Sequence, residues 1–127
     1  GARVNTFIYV YFTDISRIAN RLWDLPVSAV GADCVTHPGN LNILLDGPKR
    51  LGRGFGIVDA RTTRLEPIED LTRKLDRFAA AEWPVCWIAP SAALEFLPYP
   101  NAQAKMRRLT SAVQLVTGGT VSASAGR

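Results

Sequence analysis

Apolar residues along this chain come in short runs that stop abruptly at charged or small polar residues, with amphipathic stretches between them. Val4 to Phe12 is rich in β-branched and aromatic residues and reads as a buried strand. Asp14 or Thr13 then caps a helix that carries Ile15, Ile18, Ala19, Leu22 and Trp23 on one face, and Leu25-Pro26-Val27 stops it. A second strand, about Ser28 to Val35, precedes the turn His37-Pro38-Gly39. A short helix from Leu41 to Leu45 follows and is closed by Gly47-Pro48. The third strand, about Gly54 to Asp59, leads into a long helix with Pro67 at its first position. Glu69 and Asp70 favour the positive end of that helix, and Ile68, Leu71, Leu75 and Phe78 form its apolar stripe. Pro84 separates it from a fourth strand, Val85 to Ala89. A last helix, about Asn101 to Thr117, carries Met106, Leu109, Val113 and Val116 inward. The small-residue run from Gly118 to Arg127 has nothing to pack and reads as a flexible tail, leaving residues 1–117 as the structured region.

Strand and helix alternate four times, which predicts an α/β fold of four parallel βα units. Such a set resembles the second half of a (βα)8 TIM barrel, a fold that needs about 250 residues when whole. A lone half leaves two sheet edges and one strand face uncovered, and Ile8, Val10, Val30 and Ile57 are the residues expected on that face. The chain is therefore expected to belong to a larger barrel, to self-associate or to pair with a partner barrel half. A small open α/β sheet is the structural alternative. Parallel strands place ligand sites at their carboxyl ends, so Asp14, Asp33, Asp59, Arg61 and Ser91 are expected on one rim.

With 127 residues, 47% of them hydrophobic, the chain is one domain's worth and can bury a core. Its net charge of +4 and pI near 9.5 invite a nucleic-acid reading. The basic residues are scattered over different helix faces and loops, however, so no nucleic-acid partner is expected. Cys34 and Cys86 lie inside apolar runs and read as buried free thiols of a reducing, cytoplasmic compartment. No run approaches the roughly 18 apolar residues of a membrane span. His37 is the only histidine, so no histidine cluster or triad can be assembled, and Ser91 follows Ala89-Pro90 instead of sitting in a nucleophile elbow. Trp23, Trp83 and Trp87 are expected in the core or under helices.

Five segments occur in order: Val10-Tyr11-Phe12-Thr13-Asp14, Leu25-Pro26-Val27, Gly31-Ala32-Asp33, Gly56-Ile57-Val58-Asp59-Ala60-Arg61 and Trp87-Ile88-Ala89-Pro90-Ser91. In order and spacing they resemble the later half of a cobalamin-independent methionine synthase barrel, over about Asn5 to Val116. That family has two related (βα)8 barrels. Its carboxy-terminal barrel binds zinc through a His-x-Cys pair, a Glu and a later Cys, and the zinc activates homocysteine for methylation by a folate polyglutamate. Here the corresponding positions read Tyr9-Val10-Tyr11, Asp33 and Ala92. The pattern is similar instead to the amino-terminal barrel, which carries no metal and helps hold the folate tail, or to a stand-alone paralogue that has lost the metal. The resemblance implies no cofactor on this chain, with zinc on the family's catalytic barrel and a methyl-folate donor.

The candidate ligand-binding residues are Asp14, Asp33, Asp59, Arg61, Arg64 and Ser91. Asp59 can accept hydrogen bonds from a ligand, pair with Arg61 or Arg64, or cap a loop. Asp33, if buried, needs a partner or a raised pKa. Arg61 and Arg64 can clasp the carboxylates of a glutamate tail, or stand as surface arginines beside Glu66. Three functions stay open. One is a zinc-free methyltransferase segment that binds folate or substrate; another is a structural or regulatory partner of a zinc-bearing barrel. The third is an unrelated phosphate-binding α/β domain.

Overall fold

The computed structural model describes residues 4–118; the expected tail lies outside them from residue 119 on. Eight elements alternate: β1 (Phe7–Val10), α1 (Ala19–Trp23), β2 (Ala29–Asp33), α2 (Gly39–Asp46), β3 (Gly52–Val58), α3 (Ile68–Ala79), β4 (Cys86–Pro90) and α4 (Tyr99–Thr117). The strands form one all-parallel sheet in the order β1–β2–β3–β4. The protein is thus α/β with four βα units. One helix departs from expectation. Asp14 accepts the Ser16 backbone N–H at 2.8 Å and so caps a turn, and α1 begins only at Ala19.

The chain divides into two compact units. One holds the segment up to Asp59 together with Glu82–Ala92; the other holds Ala60–Ala81 and the chain from Ala93 on. The first unit contains the whole sheet. Strand pairing assigns its two faces, because paired residues of parallel strands point the same way and alternate along each strand. One face carries Ile8, Val10, Val30, Ala32, Arg53, Phe55 and Ile57. Here α2 packs on β2 and β3, and Val30, Ala32, Phe55 and Ile57 are buried. This corrects the expectation that Ile8, Val10, Val30 and Ile57 form the uncovered face: helix packing lies on their side.

The opposite face carries Phe7, Tyr9, Gly31, Asp33, Gly54, Gly56 and Trp87. On a flat sheet three strand spacings would hold β1 and β4 about 14 Å apart. Yet the Phe7 and Trp87 rings lie 4.5 Å apart between centroids, and the Tyr9 hydroxyl reaches the carbonyls of Pro90 and Ser91, each at 3.2 Å. The sheet is therefore curled, with this face concave. Glycines in β3 make the curl possible: a Cβ on Gly54 would strike the Phe7 ring, and one on Gly56 would overlap the Tyr9 hydroxyl. Phe7 and Trp87 remain 41% and 40% exposed, so Trp87 is not the core residue its apolar run suggests. Cys86 is also exposed, because it lies on the edge strand β4, whereas Cys34 is buried as expected.

Arg53 is the unexpected centre of the helix-covered face. It is fully buried, and its guanidinium donates to the carbonyls of Leu44, Leu51, Gly52 and Pro48 at 2.7, 2.9, 3.3 and 2.9 Å. The rings of Trp23 and Trp83 flank it at 4.6 and 4.8 Å. Burial, and secondarily the charge of Arg50, pull its pKa down to about 10, so it stays charged at neutral pH. One cation thus gathers the end of α2, the Pro48–Gly52 turn and two tryptophans.

The second unit is the pair α3 and α4 with the segment leading into α3. Leu71, Leu75 and Phe78 of the predicted α3 stripe are buried and Ile68 is half-buried. Helix α4 buries Lys105, Leu109 and Ala112, so of its four expected inward residues only Leu109 is buried, Met106, Val113 and Val116 being half-buried. The Lys105 ammonium is fully buried, bonded to Glu66 Oε1 at 2.9 Å and to the Arg64 carbonyl at 2.6 Å. Arg108 adds a bond to the Glu66 carbonyl at 3.0 Å. These contacts fasten residues 64–66 to α4 and fix where α3 starts.

Candidate functional site

The carboxyl ends of the strands gather the candidate residues of the first unit. β2 ends at Asp33, β3 passes into Asp59 and β4 into Ser91. The ladder continues past these ends, with the Cys34 N–H donating to the Gly56 carbonyl at 2.9 Å and the Ser91 N–H to the Val58 carbonyl at 2.7 Å. Parallel pairing thus brings Asp33, Asp59 and Ser91 to one edge from three strands. Asp59 is half-buried and Ser91 buried. Asp14 lies on the loop after β1, exposed, its carboxyl held below the ordinary range mainly by the Ser16 N–H and secondarily by the charges of His37 and Arg17. Arg61 and Arg64 are both exposed and belong to the second unit, and the site is built from the first.

Asp33 is the most informative of these. It is 0% exposed, and its Oδ1 accepts the backbone N–H groups of Val35 and Thr36 at 2.8 and 2.9 Å, which turns the chain out of β2. Its Oδ2 is buried and meets no hydrogen-bond donor. Native proteins leave few such atoms, because each forfeits about 1–3 kcal/mol.

Two neighbours that the sequence did not single out as site residues define its surroundings. Asn40, fully buried at the start of α2, donates to the carbonyls of Thr13 and Asp33 at 2.8 and 2.9 Å, and its Oδ1 accepts the Ile15 N–H at 3.0 Å. It ties the loop after β1 to the end of β2. Tyr9 crosses the concave face with its hydroxyl over Gly56. Burial first, then the charges of Asp33 and Cys34 and the neighbouring Tyr11, hold its proton far more tightly than in a free phenol. The Tyr11 ring lies 4.8 Å from that of Tyr9, and Phe12 follows with its backbone in the left-handed region, φ 54°. Asn40 could have been suspected from a polar residue inside an apolar helical segment, Gly39-Asn40-Leu41. Tyr9 had no such signal, since its position over glycines depends on the curl of the sheet.

The positions that resemble the zinc ligands of methionine synthases are Tyr9, Tyr11, Asp33 and Ala92. They do not fit that metal. Ala92 has no donor atom, the Tyr9 hydroxyl donates to two carbonyls, and one carboxylate does not replace an imidazole and two thiolates. Among the described residues no group of three or more His, Cys, Asp and Glu side chains is placed to hold a metal ion. No helix among them is long and apolar enough to cross a membrane.

No protein-family model matches the chain. The class its fold and rim define is a parallel βα protein whose strand carboxyl ends present two carboxylates beside an aromatic-lined concave face.

Proposed function

We propose that the chain is a zinc-free segment of a methionine synthase-like methyltransferase barrel that holds folate or substrate while homocysteine is methylated. The observation that supports this best is the convergence of Asp33, Asp59 and Ser91 at the carboxyl ends of parallel strands, with one Asp33 oxygen uncommitted. Polar ring atoms of a pterin suit Asp59, and the Tyr9 and Tyr11 rings, 4.8 Å apart, offer flat apolar surface. The chain positions the ligand; it does not activate the thiol. Its partner is a further barrel half or a second copy, set against the concave face where Phe7 and Trp87 are partly exposed. The two free thiols suit a reducing cytoplasmic setting.

The test is calorimetric titration of the purified chain with a methyltetrahydrofolate polyglutamate. Saturable binding is expected, weakened by about 1–3 kcal/mol in Asp59→Ala if Asp59 accepts a buried hydrogen bond. Absence of saturable heat at millimolar ligand would defeat the proposal.

A further inference from the structure

The groups around Asp33 select which end of a ligand can reach it. Oδ2 is an acceptor without a donor. The Tyr9 hydroxyl donates its single proton to the carbonyls of Pro90 and Ser91, leaving only lone pairs. Both amide hydrogens of Asn40 are committed to the Thr13 and Asp33 carbonyls. The Val35 and Thr36 N–H groups go to Oδ1. The polar groups identified on this part of the rim are thus acceptors, or donors already engaged, and an anionic group would find no free donor among them. Beside them stands the Tyr9 ring, packed over Gly31 on the face that carries Asp33, with the Tyr11 ring 4.8 Å from it; the faces of such rings attract cations.

We infer that Asp33, with the rings of Tyr9 and Tyr11, forms a subsite for an organic cation, namely a primary ammonium group on the bound ligand. This rests on the reading of the rim as a ligand site and deepens it by assigning Asp33 to a cationic group of an amino-acid substrate, since a methyl-folate carries no ammonium. The ammonium gives Oδ2 its missing donor, and its charge offsets that of a carboxylate withdrawn from water. Because Oδ2 is buried, a ligand reaches it only when the groups that cover it move. The loop Tyr11-Phe12-Thr13 is tied to the Asp33 backbone carbonyl through Asn40 and is exposed at both aromatic residues.

The experiment follows the Val35 and Thr36 amide signals, which report on Asp33 through Oδ1, in proton–nitrogen correlation spectra of the full chain. The probes are n-butylammonium chloride, sodium butyrate and butanol, all at one ionic strength. Saturable shifts of these two amides with butylammonium alone are expected. Asp33→Asn, which presents a donor where the ammonium would sit, should weaken the response about tenfold or more. Equal shifts from all three probes, no saturable shift, or an undiminished response in a folded Asp33→Asn protein would overturn the subsite. If the variant does not fold, the comparison of the three probes on the unaltered chain decides. Folate binding that persists while these amides ignore butylammonium refutes the subsite and spares the function proposed above. An ammonium response without folate binding does the reverse.

Discussion

Replacing Arg53 should be the most damaging single change in the first unit. Arg53→Ala removes four hydrogen bonds to carbonyls and two ring contacts at once. Hydrogen bonds from a charged group contribute about 1.5–3 kcal/mol each, and a desolvated cation–π contact about 2 kcal/mol. A simple sum would exceed 8 kcal/mol, but the variant no longer buries a charge, which restores several kcal/mol. The balance expected is about 3–5 kcal/mol, the usual cost of breaking a buried charged network. That is a large part of the about 5–15 kcal/mol that holds a domain together. Arg53→Lys keeps the charge but loses the planar fork and its stacking, and should recover less than half of the loss. Urea unfolding followed by tryptophan fluorescence measures both, with Trp23 and Trp83 beside the altered site. An Arg53→Ala protein within about 1 kcal/mol of the parent would refute this account of the network.

The Tyr9 hydroxyl should make stability pH-dependent in alkali. Its ordinary pKa is 10.0 and the fold raises it, so above pH 10 the unfolded chain loses a proton that the folded chain keeps. The contribution is complete below pH 10 and falls as pH rises further. Urea midpoints between pH 8 and pH 11 should fall more steeply in the parent than in Tyr9→Phe, which keeps the raised Cys86 thiol, and equal slopes would refute the claim. In the second unit, Lys105→Ala and Lys105→Met should each cost about 3–5 kcal/mol, because both remove the ammonium paired with Glu66, as measured by thermal unfolding. A large loss in Lys105→Ala with Lys105→Met close to the parent would assign the cost to packing instead of the ion pair. Sedimentation of the intact chain should show a dimer or larger species driven by the concave face, and a compact monomer would argue against the half-barrel reading.

The strands were legible because β2 and β3 are apolar on both faces and end in charge, and α3 because its stripe repeats at helical spacing. Arg53 was not, since Gly52-Arg53-Gly54 contradicts strand propensity, and burial of the arginine depends on carbonyls from α2 and the following turn. Lys105 was hidden in the same way: its partners lie about forty residues back in the chain. The ends of β2, β3 and β4 announced Asp33, Asp59 and Ser91. The concave face was misassigned because alternation alone gives two faces without saying which one the helices cover. Only the glycine row facing Phe7 and Tyr9 distinguishes them, and its meaning depends on how far the sheet curls.

The central claim is that ligand binds at the carboxyl ends of the sheet. Mapping amide shifts in the intact chain on adding a methyltetrahydrofolate polyglutamate tests it most directly. The account predicts saturable shifts at Cys34, Val35, Thr36 and Ser91, at the carboxyl ends of β2 and β4, with Ser28 and Gly52 at the amino ends unmoved. Shifts centred on Ser28 and Gly52, or none at saturating ligand, would contradict it.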